Sequence, residues 1–129
     1  MLKVKTYLSE SKIPGAGLGC FALEFIPKGT LIWEFDPQID RRYTETDLLN
    51  MDQLSKEFIY KYAFKYRGQY FLCVDNGRFF NHSKNPNTLD PIDSNRTYSL
   101  VDIQIGEEIL SDYGNFSDNP DDILFNTHL

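Results

Sequence analysis

Three short stretches bring together side chains that could do chemistry. In "RFFNHSKNPN", residues 78–87, two phenylalanines run directly into Asn81, His82 and Ser83. Aromatic rings favour burial and Asn-Pro pairs favour turns. Either a buried strand simply ends here, or the polar cluster is a pocket wall carried on it. In "GAGLG", residues 15–19, three glycines would let backbone N–H groups approach a ligand closely, because glycine has no Cβ. The spacing is Gly-x-Gly-x-Gly, with Pro14 ahead of it and no helical pattern behind it. Neither a dinucleotide-binding loop nor a P-loop fits that context. In "SDYG", residues 111–114, Tyr113 stands at a strand end. A thiol–imidazole dyad of Cys20 or Cys73 with His82 is a further chemistry. Nothing in the spacing brings a thiol to His82 or to His128, so buried free thiols are the expected state.

The elements that must position these residues are mostly short strands. Residues 2–8, 20–26, 30–35, 69–74 and 97–103 are apolar in alternation or in short runs. The Pro27-Lys28-Gly29 turn predicts a hairpin between the second and third of these. Leu48, Met51, Leu54, Phe58 and Tyr62 recur at three- and four-residue steps, which predicts a helical stripe broken near Asp52. Thr44 with Asp47 resembles a capping box at its start. A long Asn-, Asp-, Ser- and Pro-rich loop covers residues 81–95, and a short strand lies within residues 106–114.

The whole reads as one domain over residues 1–129, mainly β with a short helical region (α+β). A chain of this length buries about two thirds of its unfolded surface, so it needs no metal or disulfide staple. No Cys-x-x-Cys is present, and no metal is expected. The first eleven residues lack the apolar run of a secretory signal, and no stretch approaches a membrane span. An intracellular, reducing compartment is therefore expected. The net charge of −6 argues against direct nucleic-acid binding and suits a basic partner.

Taken together and in this order, the motifs resemble the SET-domain protein lysine methyltransferases over nearly the whole chain. "KIPGAGLGCFALEFIPKGTLIWEF" is similar to that family's opening, and "YAF" (residues 62–64) to its Tyr-x-Phe. "VDNGRFFNHSKNPN" resembles its Arg-Phe-x-Asn-His signature, and "GEEILSDYG" its closing Gly-Glu-Glu and Asp-Tyr-Gly. The resemblance implies a β-clip fold of several small sheets, with the segment after Asp112 threading beneath the loop near Asn81 in a knot-like arrangement. It implies S-adenosyl-L-methionine as donor and S-adenosyl-L-homocysteine as product. Gly17, Leu18, Gly19, Tyr62, Asn81 and His82 would bind the donor. Tyr113, with Tyr62, would be catalytic, and Phe35, Ser111 and Phe116 would line the lysine channel. The substrate would be a lysine in a basic protein or peptide, such as a histone, lying along a strand edge. Nuclear or host-nuclear action would follow from a histone target.

The sequence also departs from the family. Many members follow Asp-Tyr-Gly with a cysteine-rich zinc segment, but no cysteine follows here, and Lys84 stands where the signature often has Cys. Phe116, the apolar residues 123–125 or a partner subunit would have to close the channel. Ser111 replaces an aromatic that limits methyl addition, which implies room for more than one methyl group. The oligomeric state is left open, a homodimer included. The alternative function is a non-catalytic SET-like module that binds a basic peptide.

Overall fold

The computed structural model describes residues 1–92 and 94–115; Phe116 and the apolar residues 123–125 lie outside the described residues. Among the described residues there are ten short strands: β1 (Thr6–Glu10), β2 (Leu18–Ala22), β3 (Leu31–Glu34), β4 (Arg41–Tyr43), β5 (Phe64–Tyr66), β6 (Gln69–Leu72), β7 (Asn81–His82), β8 (Thr88–Leu89), β9 (Arg96–Ser99) and β10 (Leu110–Ser111). They form two three-stranded sheets, ordered β3-β9-β8 and β4-β6-β5, and two pairs, β1-β2 and β10-β7. All pairings are antiparallel except β10-β7, which is parallel. The mainly β class and the several small sheets are as expected.

The expected hairpin between residues 20–26 and 30–35 does not form. β2 pairs with β1, and β3 pairs with β9. From Ala22 to Ile26 the segment also bonds to residues 103–107. Ala22 N–H donates to Glu107 O at 2.9 Å, and Gly106 N–H donates to Ala22 O at 2.8 Å. Ile26 and Ile103 exchange both bonds, at 2.9 and 2.8 Å. The Pro27–Gly29 turn therefore joins two different sheets. Alternation shows that a segment is half-buried but not which segment it pairs with.

The helical region is broken where the pattern places the break. In α1 (Glu45–Leu49) the Thr44 side chain accepts from Asp47 N–H, and the Asp47 carboxylate accepts from Thr44 N–H, a complete capping box. Asp52 caps α2 (Gln53–Tyr62) by accepting from Ser55 N–H. The stripe itself is only partly buried. Leu48 and Ile59 are in the core with Ala63 and Leu72, whereas Leu54 is 78% exposed and Phe58 43%. The non-helical link before Asp52 resets the helical phase, so residues in step across it do not share a face. Leu54 and Phe58 instead line an open groove of about 450 Å³ with Met51, Tyr43 and Leu72.

The larger core lies between β2, β3 and the C-terminal segment and holds Ile26, Ile32, Trp33, Phe80, Ile103 and Ile109. Asp90, just after β8, accepts from the Thr97 hydroxyl on β9. Burial raises its pKa from 3.8 to about 6, against the lowering effect of that bond. The folded state therefore holds this proton more tightly than the unfolded chain does. The resulting stabilisation is complete below about pH 4 and is lost as pH rises through 6. Asp90→Asn should flatten melting temperature between pH 4 and 6 and raise it at pH 7. Parallel melting curves for variant and wild type would contradict this.

Candidate functional site

The site is assembled by the C-terminal segment running between β2 and residues 81–88. On one side, Ile109 N–H donates to Cys20 O at 2.8 Å. On the other, β10 lies parallel to β7, with Leu110 opposite Asn81 and Ser111 opposite His82. Ser83 N–H donates to Ser111 O at 2.9 Å. Asn87, which the sequence reading passed over, holds this segment with both ends of its amide. Its Nδ2 donates to Glu108 O at 2.8 Å, and its Oδ1 accepts from Leu110 N–H at 2.8 Å. A side-chain amide here mimics a strand partner, which explains an Asn directly after a proline. The threading expected near Asn81 was of the segment after Asp112, which the structure describes only as far as Asn115; the insertion seen here is made by the residues just before it.

Phe79 and Phe80 do not lie on a strand. Residues Asn76–Phe79 form a 3-10 turn capped by Asp75, which accepts from Gly77 N–H at 2.9 Å. Phe80 is buried, and Phe79 packs against the same core. A tight turn reverses direction within four residues, so Asn81 and His82 emerge beside β10. That answers why bulky rings abut a polar run: the rings fix the turn and the amide and imidazole project from it.

Asn81 is 5% exposed. Its Nδ2 donates to Leu18 O at 2.9 Å and to Glu108 Oε2 at 3.1 Å. Both amide hydrogens are thus held within the protein, and its Oδ1 is left as an acceptor. Leu18 and Gly19 begin β2 next to it. Gly17 has φ +78°, a left-handed conformation that favours glycine. Gly19 is required for a different reason: a Cβ there would stand 2.4 Å from Glu108 Oε2 and 3.3 Å from Asn81 Nδ2. The structure therefore brings Gly17, Leu18, Gly19, Asn81 and Glu108 into one place.

His82 and Tyr113 are joined directly. Tyr113 N–H donates to His82 Nδ1 at 3.0 Å, and the rings lie 5.5 Å apart. With Nδ1 accepting, the ring proton of neutral His82 belongs on Nε2. Asp112 Oδ1, 3.7 Å from Nδ1, makes no hydrogen bond there. The Tyr113 hydroxyl donates to Phe80 O. Burial, with the Cys73 thiol nearby, pushes the Tyr113 pKa above that of an ordinary phenol.

The remaining residues sit further out. Tyr62, at the end of α2, packs its ring on Phe58 at 4.9 Å, with the Arg78 guanidinium 5.0 Å over it. Arg78 also lies 5.1 Å over Phe79, and so ties α2 to the turn that carries Asn81. Phe35 meets Phe71 edge-on at 5.7 Å, beneath Arg42, in an aromatic cluster under the β4-β6-β5 sheet. Ser111 is 2% exposed, and its hydroxyl lies 3.1 Å from the Thr88 hydroxyl. The thiol chemistry finds no support: burial pushes Cys20 up to about 12 and raises Cys73 as well, so neither is a thiolate near neutral pH. Among the described residues no cluster of His, Cys, Asp or Glu could hold a metal ion.

Glu108, Arg78 and Asn87 were missed as site residues. Glu108 carried no signal of its own, since a second carboxylate directly after Glu107 reads as a solvated pair.

Comparison with known proteins agrees with this geometry. The family model described as the SET domain matches residues 17–114. No curated protein sequence matches the chain significantly. Among solved structures, a candidate histone methyltransferase of Plasmodium falciparum is 26% identical, with a TM-score of 0.59 over 88% of this chain and 96% of its own. Chaetomium thermophilum Polycomb Repressive Complex 2 bound to the inhibitor GSK126 matches with a TM-score of 0.69 at 20% identity, over 94% of this chain. A Polycomb complex in an autoinhibited conformation bound to S-adenosylmethionine gives 0.67 at 21%, over 96%. This chain spans only 17% of the length of those two Polycomb chains. The matched stretch takes in the Gly-x-Gly loop, the Asn81–His82 strand and Tyr113, and the chain belongs to the SET-domain family.

Proposed function

We propose that the protein is an S-adenosylmethionine-dependent protein-lysine N-methyltransferase acting on a basic protein or peptide, a histone among the candidates. The observation that carries this reading is the joint placement of Asn81, His82 and Tyr113 beside the Gly17–Gly19 backbone by the parallel β7-β10 pair. The residues present fit the donor. The glycine backbone at Gly17 and Gly19 carries no side chain into this corner, and Asn81 Oδ1 is an acceptor suited to an ammonium group. When bound, S-adenosylmethionine supplies an electrophilic methyl group on a positively charged sulfur.

The chain's own residues do the rest by positioning. A lysine amine attacks only when neutral, and free lysine has a pKa near ~10.4. An apolar channel and a nearby positive charge both favour the neutral amine. The Tyr113 hydroxyl donates to Phe80 O, which fixes its direction, and its oxygen would accept from an amine N–H and so orient the nitrogen. With its pKa raised, the phenol is no general base at neutral pH. Strand β5 follows Tyr62 and Ala63 directly and is the outer strand of its sheet. A basic peptide would lie along a strand edge, where main-chain hydrogen bonds hold it whatever its side chains. Residues 41–67 carry six Lys and Arg against four Asp and Glu, so the acidity that would attract a basic substrate lies in the rest of the chain.

Two free thiols accord with an intracellular, reducing site of action. No helix among the described residues is long and apolar enough to cross a membrane. Titration calorimetry with S-adenosylmethionine tests the donor half of the reading. Saturable one-site binding, competed by S-adenosylhomocysteine, is expected; an absence of heat with both ligands would contradict it.

A further inference from the structure

Glu108 lies inside this site and has no part in the reading above. It is 7% exposed. Its oxygens accept from Ser11 Oγ at 2.7 Å, Lys12 N–H at 2.8 Å and Asn81 Nδ2 at 3.1 Å. Among the described residues no Lys, Arg or His forms an ion pair with it. A buried carboxylate needs hydrogen bonds and opposite charge to offset its lost hydration. The hydrogen bonds are here; the opposite charge is not. The carboxylate also stands directly behind Gly19, at the 2.4 Å separation that excludes a Cβ.

The donor and product differ in one charge. Each carries one ammonium and one carboxylate, but the donor sulfur is a cation and the product sulfur a neutral thioether. On transfer, the amine lone pair forms the new C–N bond and the C–S electrons return to sulfur. The positive charge leaves the sulfur with the methyl group and passes to the nitrogen.

We infer that Glu108, placed behind Gly19 and Asn81, is a positioning residue whose negative charge favours the cationic donor over the neutral product. The inference rests on the donor reading above. It gives the buried anion a function: the pocket's attraction weakens once transfer has occurred, which promotes exchange of product for fresh donor. A purely structural clamp, tying residues 11 and 12 to Asn81, would support both ligands equally.

The experiment is calorimetry with S-adenosylmethionine and S-adenosylhomocysteine on the wild type, Glu108→Gln and Ser11→Ala. Glu108→Gln should weaken the donor more than the product, lowering the donor-over-product affinity ratio about tenfold. Ser11→Ala removes one hydrogen bond to the same carboxylate and leaves its charge. It should weaken both ligands alike and keep the ratio. Equal losses for both ligands in Glu108→Gln would overturn the inference while leaving the donor reading intact. Failure of the wild type to bind either ligand would overturn both. If a melting curve shows Glu108→Gln unfolded, Glu108→Asp replaces it. Its carboxylate, withdrawn by one methylene, should lower the ratio by a smaller factor, and an unchanged ratio would again overturn the inference.

Discussion

Tyr113→Phe is expected to lower the methyl-transfer rate by about 10²–10³-fold, the usual cost of removing one oriented polar group at a reacting centre. The donor affinity should stay near that of the wild type. The reason lies in what the hydroxyl does. It is anchored on Phe80 O, and its oxygen is the group proposed to accept from the amine. The ring is held separately: its backbone N–H is fixed by His82, and the ring packs at 5.5 Å from the imidazole. Phenylalanine keeps that ring and loses only the oxygen. The loss should therefore appear in kcat rather than in donor binding. A module that only binds a basic peptide would show the same peptide affinity with either residue. If transfer by Tyr113→Phe equals that of the wild type, Tyr113 does not orient the amine.

The second large effect is expected at Gly19. Gly19→Ala places a methyl group where Glu108 Oε2 stands 2.4 Å away and Asn81 Nδ2 3.3 Å away. The carboxylate is held by Ser11 and Lys12 and cannot retreat without breaking those bonds. Overpacking of this kind costs about 1–3 kcal/mol. Here it displaces the groups assigned to the donor, so donor affinity should fall about 10- to 100-fold. Gly15→Ala is the matched control. Gly15 has open space around its Cβ direction but a φ of +78°. It should lose about 1 kcal/mol of stability through backbone strain alone and retain its donor affinity. Equal donor binding by Gly19→Ala and the wild type would show that the donor does not depend on this corner.

Much of this arrangement could be read from the residues, though unevenly. Thr44 and Asp47 were legible as a capping box because capping is local, set by three residues and their own backbone. The break at Asp52 was legible for the same reason. The β2–β3 hairpin was misread because strand partners are non-local: the atoms that satisfy Ala22 and Ile26 come from residues 103–107. Leu54 and Phe58 were misread because a stripe assumes one continuous helix. The site itself was legible only as a resemblance. Composition and periodicity gave no reason to bring His82 to Tyr113, since that contact depends on a parallel two-residue pairing across a 29-residue separation, from Leu110 back to Asn81. Glu108 was overlooked because a carboxylate in a strand ordinarily faces water. Its burial follows from three donors that converge from residues 11, 12 and 81.

The central claim is that this SET-domain chain moves a methyl group onto a protein lysine. The most direct measurement is transfer from methyl-labelled S-adenosylmethionine to a mixture of core histones and other lysine-rich proteins, with the modified residue mapped by mass spectrometry. The predicted result is label on a lysine side chain that requires the protein and is suppressed by S-adenosylhomocysteine. Absence of label on every substrate, from a preparation that binds the donor by calorimetry, would contradict the claim and favour a module that binds without turnover.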